Sequence, residues 1–290
     1  MNVNLNQCEA IFDRALLSTS EAEFCHCITP LFDVYEILSV SFGRGSTFWR
    51  ARLIDGKPWP RLKDMDYPPP DKARVGRLND AGAPCFYLSA KPETALLEIE
   101  TQEWQQLQLA GFKIKPGEEL RVILVGEYAF VNKTGYSRIT GVDPGGTIAN
   151  ILNTMPPDDA IATLYIDRFF SHILNDPHAR DSGYLLSRAL GAVLHSRIKD
   201  ADGIAFPSVR DANGSNFAIL PEPSDRVFQS VTCALAKAGK NRRYGMVEFE
   251  MVGCAERLDA QEHFVWMDPY QPGTLGMYGM TKDEFEKKVL

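Results

Sequence analysis

Strand-like and helix-like segments follow one another along this chain without strict alternation, and that order constrains its fold most. A doubly wound parallel sheet needs a helix after each strand. Here Thr47-Phe48-Trp49-Arg50-Ala51-Arg52-Leu53 has strand composition but runs into a loop holding Pro58, Pro60, Pro68, Pro69 and Pro70. That much proline removes backbone donors and forces extended backbone, so residues 55–80 carry no regular element. Further strands are expected at 85–88, 121–125, 203–208, 217–220 and near 245–252. Helices are expected at 92–98, from Pro156 to Phe169 with Ile161, Leu164, Tyr165 and Phe169 on one face, at 184–197, near 225–238, and as a short final element. The class that accommodates this order is α+β, a mixed β-sheet core with surrounding helices.

Residues 6–38 read as two helices. Ile11, Ala15 and Leu16 form one apolar stripe, and Phe24, Ile28, Leu31, Phe32 and Tyr35 form another. Ser18-Thr19-Ser20 separates them and caps the second, with Glu21 and Glu23 in its first turn. Apolar stripes need burial, so these helices are read as extra core.

Composition then excludes function classes. A net charge of −7 lacks the basic footprint of a nucleic-acid binder, and no apolar run approaches a membrane span. No direct nucleic-acid or membrane binding is expected. No basic n-region followed by an apolar stretch opens the chain, so the expected location is cytoplasmic, with the six cysteines reduced. Cys8, Cys25, His26 and Cys27 are the one group with metal-ligand chemistry. They lack a usual zinc spacing, and buried thiols are the alternative reading.

Common catalytic motifs are missing: no glycine-rich dinucleotide loop, P-loop, zincin helix or nucleophile elbow occurs. The histidines at 26, 172, 178, 195 and 263 are scattered. The best constellation is Arg77, Tyr87 and Glu98. Arg77 sits in a glycine-flanked loop, where its guanidinium can bind a phosphate bidentately. Tyr87 ends a strand and offers a ring for stacking. Glu98, on the helix opened by Pro92, can stabilise a developing sugar cation or position a nucleophile.

The block "GRLNDAGAPCFYLSAKPETALLEIE", with Arg77, Tyr87 and Glu98 at their spacings, resembles the core signature of the RES domain. The later block "DGIAFPSVRDANGSNFAILPE" is similar to the family's serine-bearing strand end and supplies Ser208, with Arg210 and Asn216 following. "FWRARL" looks like the family's opening strand, with Arg50 and Arg52. Leu78 stands where family members often carry Trp, which removes a stacking surface. The resemblance runs from about Thr47 to Pro221. It divides the chain into an N-terminal helical extension (1–45), a RES-like catalytic core (46–222) and a C-terminal extension packed on that core (223–290).

The resemblance implies a fold similar to ADP-ribosyltransferase toxins and an enzyme that cleaves the nicotinamide–ribose bond of NAD+. The acceptor would be water or inorganic phosphate, and NAD+ is substrate, so no cofactor and no metal is implied. Carried over by position, Arg77, Tyr87, Glu98 and Ser208 would be catalytic. Arg50, Arg52, Asn79, Arg210 and Asn216 would bind substrate. Many such proteins are toxins of bacterial toxin–antitoxin pairs, which implies an Xre-like antitoxin as partner; a homodimer is left open. Two other readings stand beside this one. The chain could transfer ADP-ribose to a protein or nucleic acid, or bind NAD+ or ADP-ribose without reacting.

Overall fold

Local sequence sets the ends of the first helices. The computed structural model describes residues 4–143 and 146–278. Asn4 caps α1 (Leu5–Leu16) by accepting the Gln7 amide, and the Gln7 side chain returns to the Asn4 amide. Ser20 caps α2 (Glu21–Ile28) by accepting the Glu23 amide. The chain continues through β1 (Ser39–Phe42), β2 (Thr47–Leu53), β3 (Phe86–Ser89), α3 (Pro92–Glu98), β4 (Gln106–Ile114) and β5 (Leu120–Leu124). There follow α4 (Glu127–Thr134), α5 (Thr147–Thr154), α6 (Pro157–Leu174), α7 (Leu185–Arg197), β6 (Gly203–Pro207) and β7 (Ser215–Ile219). Last come α8 (Pro221–Val227), β8 (Phe228–Asn241), β9 (Met246–Leu258), β10 (Phe264–Trp266) and β11 (Gly273–Tyr278). The protein is α+β, with strands paired in both senses.

The chain forms two compact units, each assembled from separated stretches. The first gathers Met1–Val40, Ala73–Ala83 and Arg121–Pro207. The N-terminal helices are core here: Phe12 stacks on Phe169 of α6 at 4.0 Å, and Phe24, Ile28 and Leu31 are fully buried. Strands β5 and β6 pair in parallel, Ile123 opposite Ile204. At the start of α4, the buried Asp167 carboxylate accepts the amides of Gly126 and Ala129 and the Tyr35 hydroxyl. Gly126 has φ 84°, and a Cβ there would lie 2.8 Å from Ser171 Oγ.

The second unit gathers Ser41–Lys72, Pro84–Leu120 and Ser208–Leu290. Its strands run in the order β7-β3-β2-β4-β8-β9-β10, with β11 also on β9. All these pairs are antiparallel. Helix α3 covers one face, packing Ala95 and Leu96 on Leu107, Leu109, Ala236 and Phe249, with Trp49 and Ala51 beside them. The other face holds phenylalanines edge to face, with Phe48 and Phe217 at 4.9 Å and Phe86 and Phe112 at 5.0 Å.

The helix expected near 225–238 is not formed. Helix α8 stops at Val227, and β8 takes over from Phe228. Its alanine-rich sequence favours helix locally, but pairing with β4 on one side and β9 on the other satisfies the backbone and buries Ala236 and Ala238. Strand β4 was not expected: the alternation of Gln106 to Leu109 breaks at Ala110 and Gly111, and both faces of the strand are buried, Gln108 included. In α6 Phe169 of the expected stripe is buried and Tyr165 packs edge-on against Phe12, but Ile161 is exposed and the buried face continues through Ala162, Ile166, Phe170 and Ile173. Leu16 is likewise exposed, at the end of α1. The expected short final helix lies outside the described residues.

Candidate functional site

In the second unit, Glu98 is the last residue of α3, a helix of under two turns that starts at Pro92. Glu98 Oε1 accepts two hydrogen bonds, from Ser208 Oγ at 2.5 Å and from Asn216 Nδ2 at 2.7 Å. The Ser208 hydroxyl oxygen accepts the backbone amides of Arg210 (3.1 Å) and Asp211 (2.9 Å). With two N–H donors on its oxygen, the serine proton is directed at Glu98. The Asn216 carboxamide is oriented the same way: Ser89 Oγ donates to its Oδ1 at 2.7 Å, leaving Nδ2 for Glu98. Ser89, Ser208 and Asn216 are all buried, while Glu98 is half-buried. Among the described residues no hydrogen bond occupies Glu98 Oε2. The protein's hydrogen bonds to this carboxylate thus converge on Oε1.

The loop carrying Ser208 is held by the same helix one turn earlier. The Thr94 hydroxyl donates to Asp211 Oδ2 at 2.6 Å, and the Asp211 Oδ1 accepts the Asn213 amide. The turn closes through Gly214, whose amide donates to the Asp211 carbonyl and whose carbonyl accepts the Ser208 amide. A Cβ at Gly214 would lie 2.6 Å from both Thr94 Oγ1 and Asp211 Oδ2. Asn213-Gly214 is thus a turn, as its sequence indicates, and it anchors the loop to α3.

Strand register sorts the remaining candidates by face. Ser89 pairs with Asn216 and with Trp49, and Tyr87 pairs with Ala218, so Tyr87, Ser89, Asn216 and Trp49 share the α3 face. Arg50 and Arg52 alternate with Trp49 and Ala51 and lie on the opposite face. There Arg50 donates to the Tyr87 carbonyl at 2.9 Å and lies 5.5 Å from the Phe86 ring centroid. Arg52 stacks on Trp59 at 4.0 Å and bonds the Asp64 carbonyl. Burial, then the like charge of Arg52, lowers the Arg50 guanidinium to about 10. The geometry does not bring these two arginines to Glu98. Arg210 gives its amide to Ser208 and its guanidinium to Glu100.

Arg77 and Asn79 belong to the first unit. Arg77 donates to the Asp176 carbonyl at 2.9 Å and lies over the Tyr184 ring at 5.5 Å. The Asn79 carboxamide donates to the carbonyls of Arg74, Asp80 and Ala83, each at 2.9 Å, which makes it the tie of its own loop.

A family model described as the RES domain matches residues 47–237, well over half of the 290 residues. This chain belongs to the RES domain family. The matched span begins at the first residue of β2 and ends within β8. It contains Arg77, Tyr87, Glu98, Ser208 and Asn216. No curated protein matches the chain.

Several residues of this RES domain that build the site were not singled out by sequence reasoning. Ser89 orients Asn216, Thr94 and Asp211 hold the loop, and Trp49 flanks Ser89 with its ring over Gly111, where a Cβ would lie 3.1 Å from the indole. Period-2 reading from Tyr87 would have reached Ser89. Among the described residues no three of His, Cys, Asp and Glu cluster to hold a metal ion. Cys8 is buried, and Cys25 makes a long contact of 3.9 Å to the Ala189 carbonyl. No helix among the described residues is long and apolar enough to cross a membrane.

Proposed function

We propose that this RES domain protein cleaves the nicotinamide–ribose bond of NAD+. The observation that carries the reading is Glu98, a carboxylate whose Oε1 accepts hydrogen bonds from both Ser208 and Asn216. In this reaction the bond from ribose C1′ to the pyridinium nitrogen breaks and its electron pair leaves on nicotinamide, which becomes neutral. The leaving group is already cationic, so no acid is required. Charge develops on the ribose as an oxocarbenium ion, and a fixed carboxylate stabilises it. The hydrogen bonds from Ser208 and Asn216 orient Glu98 in advance, which reduces the reorganisation that charge development requires. Water then adds to C1′ through oxygen and releases a proton, or inorganic phosphate adds to give the ribosyl phosphate.

The remaining roles rest on the family resemblance. Arg77 holds the pyrophosphate and Tyr87 stacks on nicotinamide or ribose. An ADP-ribosyltransferase-like fold, a toxin role and an Xre-like antitoxin as partner belong to the same reading. Arg50 and Arg52 lie on the far face of the sheet from Glu98, where they bond protein carbonyls, and this reading gives them no substrate contact.

The test is to incubate the purified protein with NAD+, with and without inorganic phosphate, and identify products by mass spectrometry. Nicotinamide with ADP-ribose supports hydrolysis. ADP-ribose 1″-phosphate formed only with phosphate supports phosphorolysis. Unchanged NAD+ refutes both. In that case, labelling of protein or nucleic acid in cell extract would establish ADP-ribosyl transfer instead. Growth arrest on expression, relieved by Arg77→Ala, is the result expected of a toxin.

A further inference from the structure

Helix α7 touches the 73–83 loop at three points one turn apart. Tyr184, immediately before the helix, lies 5.5 Å from Arg77. Arg188 ion-pairs Asp80, and also Glu21 of α2 at 2.8 Å. Gly191 admits Leu78, whose Cδ2 lies 2.6 Å from where a Cβ would stand. These three residues contact Arg77, Leu78 and Asp80 of the loop, all within the first unit.

Tyr184 is also strained. Its φ is 60° and ψ 27°, in the left-handed region that a tyrosine rarely adopts, and Gly183 before it has φ 62°. The conformation is held by the Tyr184 amide on the Ala179 carbonyl at 2.7 Å, and by the Tyr184 carbonyl, which accepts the Arg188 amide and the buried Ser187 hydroxyl. A glycine or asparagine would take this backbone without the steric cost. A tyrosine kept there presents a ring that neither could. Asp176 offers its carbonyl to Arg77 Nη1. The guanidinium thus has two contacts, an aromatic ring and a carbonyl, that together restrict its orientation.

We propose that Tyr184 is a positioning residue that fixes the Arg77 guanidinium for its ligand, with Arg188 and Gly191 seating the loop beneath it. The consequence for NAD+ rests on the function proposed above. The positioning itself does not.

The test uses the full chain with Tyr184→Asn, which tolerates the backbone and removes the ring, and Tyr184→Phe, which keeps the ring. Arginine-selective dicarbonyl labelling is followed at Arg77 by peptide mass spectrometry, with exposed Arg44 as internal control. Tyr184→Asn should speed Arg77 labelling about fivefold, the worth of one stacked ring, with Arg44 unchanged. Tyr184→Phe should label as wild type. In the NAD+ assay, Tyr184→Asn should raise KM by a similar factor with kcat within about twofold, and Tyr184→Phe should restore KM. Wild-type labelling of Arg77 in folded Tyr184→Asn overturns the proposal. So does a Tyr184→Phe variant that behaves as Tyr184→Asn. Faster Arg77 labelling in a protein that leaves NAD+ untouched upholds the positioning and refutes the function instead.

Discussion

Replacing Glu98 separates its chemical role from its structural one. In Glu98→Gln the amide oxygen can stand where Oε1 stands and still accept from Ser208 and Asn216. What is lost is charge, which weakens each of two hydrogen bonds by about 1 kcal/mol. Glu98 is half-buried and solvent screens part of that loss, so the net cost to stability is about 1 kcal/mol. Glu98→Ala differs: it leaves the Ser208 hydroxyl and the Asn216 amide, both buried, without an acceptor. At ~1–3 kcal/mol per stranded donor, the loss is about 3–4 kcal/mol, a large share of a typical domain's stability. Urea unfolding should therefore rank wild type, Gln and Ala in that order, with the larger gap before Ala. Turnover of NAD+ should behave differently: without the negative charge, Gln should already lose on the order of 10²–10³ in kcat. The two assays together test the assignment. A Gln variant that turns over NAD+ at the wild-type rate removes Glu98 from the chemistry. An Ala variant as stable as Gln shows that the hydrogen bonds to Oε1 do not hold the site.

Other substitutions probe the supports. Ser208→Ala strands the Arg210 and Asp211 amides as well as one bond to Glu98, and should cost about 2 kcal/mol in urea unfolding. Gly214→Ala forces a Cβ to within 2.6 Å of Thr94 and Asp211, and should cost ~1–3 kcal/mol by the same measurement while lowering activity through the displaced loop. Asn216→Asp sets a second carboxylate against Glu98, so the acid limb of the pH–rate profile should move up by more than about one pH unit. Asp167, in the first unit, supplies a pH dependence of its own. Burial raises its carboxyl to about 6 despite three hydrogen bonds, and Glu127 adds to the rise. A raised carboxyl pKa means that the folded state holds the proton more tightly than the unfolded one. Its stabilisation is full below about pH 4 and is lost as pH rises through 6, at most about 3 kcal/mol by pH 7. The wild-type urea midpoint should thus rise, relative to that of Asp167→Asn, as pH falls from 7 to 5.

Glu98 was legible because the chain itself signals its helix: Pro92 announces the element that ends at Glu98. Ser208 was reached only through the resemblance to the family, since a serine after the strand-closing Pro207 carries no chemical signal of its own. Their partnership was not legible, because 110 residues separate them and only folding brings the carboxylate to the hydroxyl. The two arginines of β2 show what sequence leaves out. Arg50 and Arg52 stand two apart and so must share a face, and that much follows from the chain. Which face α3 covers does not. That depends on Trp49 finding room over Gly111 of β4 and on Ala51 meeting the helix, contacts set by a neighbouring strand that sequence did not reveal. Strand β4 is hard to read for the reason that makes it central: both of its faces are buried, and the alternation of Gln106 to Leu109 is broken at Ala110 and Gly111 before it spans the strand. Strand β8 was misassigned next to it, since an alanine-rich segment favours helix until two neighbouring strands claim its backbone. The parts of the site that reasoning from sequence recovers are those whose signals are local. The sidedness of the sheet, which decides whether an arginine meets the carboxylate or is kept from it, is a property of the pairing.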